Sequence, residues 1–259
     1  MIGSSASRRW SDPSRRLAEL IYCSVANGVH SLHALFIIHA DLSARNVLVR
    51  GSPSWGDKFE VKVSDFGCSL NEGEQVNISK SVGALAARSP ELLLQQRPVE
   101  TSTDLWSIGV IGFMLVVGVA DDSTWPFASD EKQSLRGIRR ILGKAPMAYR
   151  DGLKLSVPRG FDDDDLPWAA CSEDAVSIDA ALVSSRVRYP LAPGDSNVCR
   201  ALGGTLQWDA GARPTAEVLR NFGLFEPRLV RDVGDAGDGL RFRSSIFLSS
   251  SACPASDVQ

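Results

Sequence analysis

The run His39-Ala40-Asp41-Leu42-Ser43-Ala44-Arg45-Asn46 is followed, nineteen positions after Asn46, by Asp65-Phe66-Gly67. A carboxylate, an amide five positions on, and a second carboxylate in a glycine-hinged loop are the residue types that phosphoryl transfer uses. That reaction asks little covalent help of a protein; it needs an acceptor oxygen in line and cations held against the phosphate oxygens. Asp41 could accept the proton of an incoming hydroxyl. Asn46 and Asp65 offer hard oxygen donors of the kind Mg²⁺ takes. Gly67 allows a backbone bend just after the second carboxylate. Either loop alone is equally the work of turn-forming Asp and Asn, whereas the two together, in this order and at this spacing, are specific.

Loops of this kind need short, rigid supports. FIIH, NVLVR and the alternating EVKVS read as three very short strands, with the two loops and the turn-rich GSPSWGD between them. Ahead of them, Leu17, Leu20, Ile21, Val25, Val29, Leu32 and Leu35 recur at helical spacing, predicting an amphipathic helix from Ser14 to about Leu35, with Asp12 as cap and Pro13 in the first turn. From Ser89 onward helices dominate. Pro90 opens a short one through Leu94, Ser102 or Thr103 caps a long apolar one, and Asp130 to Gly143 forms an amphipathic third. Lys144 to Leu206 reads as irregular, and a last helix runs from Pro214, at its first position, to about Asn221. The polar tail after Pro227 reads as flexible.

The 259 residues, 44% of them hydrophobic, suffice for one large globular domain. With 28 basic against 31 acidic residues, the net charge of −3 gives no reason to expect nucleic acid or an anionic membrane as partner. The apolar run Leu105 to Ala120 falls short of the roughly 20 residues that span a bilayer and reads as a buried helix. Five scattered cysteines without a CxxC pair fit a reducing compartment, cytoplasmic or nuclear. The Ser/Arg bias of the first sixteen residues is compatible with organellar targeting.

Taken with three later stretches, the two loops resemble the eukaryotic protein kinases. Ser89-Pro90-Glu91 is similar to that family's Ala-Pro-Glu motif, Asp104-Leu105-Trp106-Ser107-Ile108-Gly109 to its Asp-x-Trp-Ser-x-Gly helix, and Ala212-Arg213-Pro214-Thr215 to its Arg-Pro-Thr motif. The stretches GALAARSPELLL and DEKQSLRGIRRILGKAP resemble cyclin-dependent and related serine/threonine kinases. The resemblance implies an α+β, protein-kinase-like fold, mainly the helical C-terminal lobe, as one domain over residues 14–226. It further implies ATP and Mg²⁺ as cofactors and a protein hydroxyl as acceptor. Asp41 is then the base, Asn46 and Asp65 hold the metal and nucleotide, and Arg45 stands where tyrosine kinases often carry Arg, which adds it to the catalytic candidates. His39, Phe66, Gly67, Glu91, Asp104 and Arg213 take structural roles: His39 and Phe66 stack beneath the site, Asp104 holds the catalytic loop backbone, and Glu91 pairs with Arg213. Aminoglycoside and choline kinases also run His-x-Asp, but the three later stretches separate this chain from them.

Three departures matter. Ser43 stands where serine/threonine kinases usually have Lys. Ala40 stands where the family usually has Arg, so control through that Arg by phosphorylation of Ser79 or Ser81 is not expected. Only 38 residues precede His39, and they contain neither a GxGxxG nor a lysine, so an N-terminal lobe largely or wholly absent is expected. Losing one preorganised donor commonly costs about 10²–10³ in rate. The face left open would then need a partner protein or the N-terminal tail to cover it, and a silent, partner-binding pseudokinase is the alternative function.

Smaller features read as bland. His30 and His33 lie three apart but lack a third ligand and read as plain helix surface, and Asp162 to Asp165 reads as a solvated acidic loop. Cys68 reads as an inert, half-buried thiol, and the Asn77 sequon as incidental.

Overall fold

The computed structural model describes residues 13–51, 59–74, 83–95, 98–117, 130–146, 149, 162, 166–167 and 196–222. Helix α1 spans Pro13–His33. Ala18, Tyr22, Val25, Ala26, Val29 and Leu32 bury one stripe of it, and that stripe packs on the later helices. The helix ends two residues short of the expected Leu35, because the chain turns there: the Leu35 N–H reaches Leu32 O and the Phe36 N–H reaches His33 O. Phe36 adopts φ 58°, and Leu35 and Phe36 are both exposed, so no burial holds them in the helix.

Four short strands carry the loops: β1 Ile37–Ile38, β2 Val47–Arg50, β3 Glu60–Val63 and β4 Leu70–Asn71. β2 and β3 pair antiparallel with Val47 opposite Val63, and β1 pairs antiparallel with β4, Ile38 opposite Leu70. β4 was not anticipated; two residues show no alternation, and only the pairing with β1 defines it. The ribbons fix both ends of each chemical loop: residues 39–46 run from β1 to β2, and residues 64–69 from β3 to β4.

Helices α2 (Pro90–Leu93), α3 (Thr101–Val117) and α4 (Glu131–Leu142) follow. α3 is buried on nearly every side, from Thr103 to Val116. It starts at Thr101, so Ser102 and Thr103 lie within its first turn rather than capping it. Asp130 caps α4, its carboxylate accepting the Gln133 N–H at 2.8 Å, and Gly143 closes it at φ 75°.

The stretch expected to be irregular contains helix α5, Ser196–Thr205. Val198, Ala201, Leu202 and Thr205 are buried there, a helical stripe that the Gly203-Gly204 pair masks in the sequence. Gly109 admits α5 onto α3, since a Cβ there would come closer than 3.0 Å to the Thr205 and Leu206 side chains. The last helix, α6, is Ala216–Phe222. Pro214 therefore precedes it, and Thr215 acts as cap, its Oγ1 accepting the Val218 N–H at 3.3 Å. α1 packs on α3, α6 and β3, α3 on α5, and α2 on α4. Among the described residues no helix is long and apolar enough to cross a membrane.

The Asp12 cap, Ser79, Ser81, the Asn77 sequon, Asp163 to Asp165 and the tail after Pro227 lie outside the described residues.

Candidate active site

The loop between β1 and β2 hangs from one carboxylate. Asp104, in the first turn of α3 and fully buried, accepts the His39 N–H on Oδ2 at 2.9 Å and the Ala40 N–H on Oδ1 at 3.0 Å. His33 Nε2 lies 2.9 Å from the same Oδ2 and supplies a third donor. Ala40 is held at φ 64°, a left-handed backbone that costs a non-glycine residue about 1–2 kcal/mol. The Asp104 anchor is what sustains it. His33 is therefore not plain helix surface: from the last turn of α1 it secures the anchor of the loop. His33→Leu is expected to lower stability by about 1–3 kcal/mol through the charge-assisted bond lost at Asp104. Urea unfolding checks this, and a change below about 0.5 kcal/mol would show that the ring only packs.

The His39 ring ties the two loops together. Its Nε2 donates to Ser64 O at 3.1 Å, its Nδ1 accepts the Asp41 N–H at 3.3 Å, and its ring meets Phe66 tilted at 51° with centroids 5.1 Å apart, rather than stacked flat. Asn46 joins them again. Its backbone oxygen accepts from Ser64 N–H at 2.8 Å and Ser64 Oγ at 3.1 Å, placing the next residue, Asp65, beside it. Asn46 Nδ2 donates to Asp41 O at 2.7 Å and reaches Asp41 Oδ2 at 3.4 Å, so the amide oxygen is the atom left for a cation. Asp65 is exposed at φ 64°, with Oδ1 accepting the Gly67 N–H at 3.3 Å.

These donors fit Mg²⁺. One carboxylate and one amide oxygen suit an ion that completes its shell with phosphate oxygens and water, and no cluster of three His, Cys, Asp or Glu occurs among the described residues to form an all-protein cage. Asn46 and Asp65 would hold the ion, which would neutralise charge on the phosphates. Arg45 sits exposed in the short turn Ala44–Asn46. The strand leaving Asn46 exposes Leu48 and Val49.

Asp41 meets a segment that spacing did not flag. Its Oδ1 accepts the Ala84 N–H at 2.6 Å. Gly83 makes the approach possible: at φ 78°, a Cβ there would lie 2.7 Å from Ala40 O. Gly83→Ala is expected to cost about 1–3 kcal/mol and to push residues 83–84 off the loop. Unfolding midpoints with the Ala84 amide resonance check this, and an unshifted amide would contradict it.

Beneath the site, Arg213 and Glu91 form a two-bond pair, Nη1 to Oε1 and Nη2 to Oε2, both 2.7 Å. Arg213 also donates to Ser102 O and Gln207 O and lies 5.2 Å over the Trp106 ring. The pair joins α2, the start of α3 and the approach to α6.

An aspartate, an amide and a second carboxylate are thus brought together by two short ribbons over a helical body, in the order and spacing of the kinase loops. The chain matches the protein kinase domain over residues 7–222, and it belongs to that family. Serine/threonine-protein kinase 17A of Oryctolagus cuniculus is 32% identical over 109 residues, 42% of this chain and 25% of that protein. Serine/threonine-protein kinase dkf-2 of Caenorhabditis briggsae is 28% identical over 187 residues, 71% of this chain and 13% of that protein. Tyrosine-protein kinase receptor Tie-1 of Danio rerio is 40% identical over 143 residues, 54% of this chain and 65% of that protein. The chain thus spans less than two thirds of each of these relatives.

Proposed function

We propose that the chain carries the catalytic half of a serine/threonine protein kinase, transferring the γ-phosphoryl of ATP to a hydroxyl of a protein substrate. Asp41 takes the hydroxyl proton, and Asn46 and Asp65 hold Mg²⁺ against the phosphates. The observation that carries this reading is the linkage of the two loops: Asn46 binds Asp41 through Nδ2 and adjoins Asp65 through its bonds with Ser64, so base and metal ligands form one unit. The serine/threonine assignment is supported by relatives such as kinase 17A and by the GALAARSPELLL stretch. The likeness to Tie-1 makes tyrosine the competing acceptor. The test is phosphate transfer from Mg·ATP to serine, threonine and tyrosine peptides by the purified chain. Transfer restricted to tyrosine would overturn the acceptor assignment, and transfer unchanged in Asp41→Asn would overturn the site.

A second reading, a catalytically silent module that binds a partner protein, is favoured by one observation. Leu48 and Val49, beside the site, are 56% and 46% exposed, apolar surface that a partner would cover. A folded chain that neither binds Mg·ATP nor transfers phosphate would establish this reading.

A further inference from the structure

The charge beside Asp41 comes from an unexpected place. Ser43, where a lysine is usual, is buried with its hydroxyl unpartnered and brings no cation. Arg88, 8% exposed, does: its Nη2 donates to Gly83 O at 2.9 Å and its Nη1 to Glu131 Oε1 at 2.7 Å. Gly83 C=O and Ala84 N–H belong to one peptide group, and the Ala84 N–H is the donor on Asp41 Oδ1 at 2.6 Å. A single amide therefore bridges guanidinium and carboxylate, accepting from one and donating to the other. Hydrogen bonds in such a chain polarise one another, so a carbonyl held by a cation makes its own N–H a stronger donor.

We propose that Arg88 is a positioning residue for Asp41, acting through the Gly83–Ala84 peptide to fix the carboxylate with one oxygen bound and the other toward Asn46. The inference rests on Asp41 being the base. Burial lowers the Arg88 pKa, while Glu131 and then Asp41 raise it again, in keeping with a guanidinium held between two carboxylates. The line continues outward to Glu131, whose side chain is 38% exposed at the start of α4. A surface residue is thereby joined to the base by three consecutive hydrogen bonds.

The test needs no turnover, so its result is separate from whether the chain is an active kinase. In uniformly ¹⁵N-labelled full chain, Arg88→Met is expected to move the Ala84 amide proton upfield and speed its hydrogen exchange about tenfold, the loss of one hydrogen bond. The amides of Leu93 and Leu94, bonded to Ser89 O and Pro90 O, are expected to hold their protection, and Arg88→Lys to restore most of the Ala84 shift. An unmoved Ala84 amide overturns the proposal. So does a uniform loss of protection across residues 83–95, which would mark Arg88 as a brace for the segment. Should Arg88→Met fail to fold, Glu131→Gln answers instead. It keeps the guanidinium and removes its counter-ion, so the Ala84 amide is expected to move downfield, and no movement overturns the proposal.

Discussion

Arg213→Ala is expected to destabilise the fold by about 3–5 kcal/mol. The side chains of Arg213 and Glu91 are 0% and 3% exposed, so the truncation leaves a carboxylate buried with no cation. Burying a charge unpaired costs far more than an exposed pair contributes. The guanidinium also satisfies carbonyls at Ser102 and Gln207, which lose their donors in the same step. For a domain of this size the midpoint falls by on the order of 10 °C. Replacing both partners together, as Glu91→Leu with Arg213→Met, is expected to recover much of the loss, because no lone charge remains. Denaturant unfolding of the two single variants and the double variant reads this directly. A single-variant loss below about 1 kcal/mol would mean that water reaches Glu91.

Asp41→Asn is expected to lower phosphoryl transfer by about 10²–10⁴ while leaving the fold intact. A carboxamide cannot take the hydroxyl proton, yet its oxygen can still accept the Ala84 N–H. The loss should fall on turnover rather than on stability, with unfolding free energy within about 1 kcal/mol of the parent. Initial rates at saturating Mg·ATP, set beside unfolding curves of the same preparations, separate the two. An equal loss of stability would show that Asp41 mainly holds the segment at Ala84.

The site was legible in the sequence to the extent that it is local. Asp41, Asn46 and Asp65 stand in short loops whose spacing points to the chemistry, and of the two ribbons that bring them together only β2–β3 follows from NVLVR and EVKVS. Glu91, Asp104 and Arg213 were legible only by family resemblance, since nothing in periodicity pairs residues 122 positions apart. The contacts that went unread are of two kinds. One is backbone: the Ala84 N–H on Asp41 leaves no trace in residue type, and Gly83 reveals itself only once Ala40 O lies where its Cβ would be. The other is tertiary: His33 looked like a surface histidine until α3 placed Asp104 against it. Helix α5 was missed for a related reason. Its two glycines weaken intrinsic helicity, and burial of Val198 and Leu202 against α3 outweighs them.

Nucleotide binding tests the central claim, that Asn46 and Asp65 form a working metal and phosphate site in this chain. A ligand that binds the native state must raise its apparent stability by an amount that grows with concentration. In a thermal titration with Mg·ATP, the parent is expected to show a saturable rise in midpoint that disappears with EDTA and in Asp65→Ala. A rise of the same size in Asp65→Ala, or a folded parent whose midpoint does not move, would contradict it.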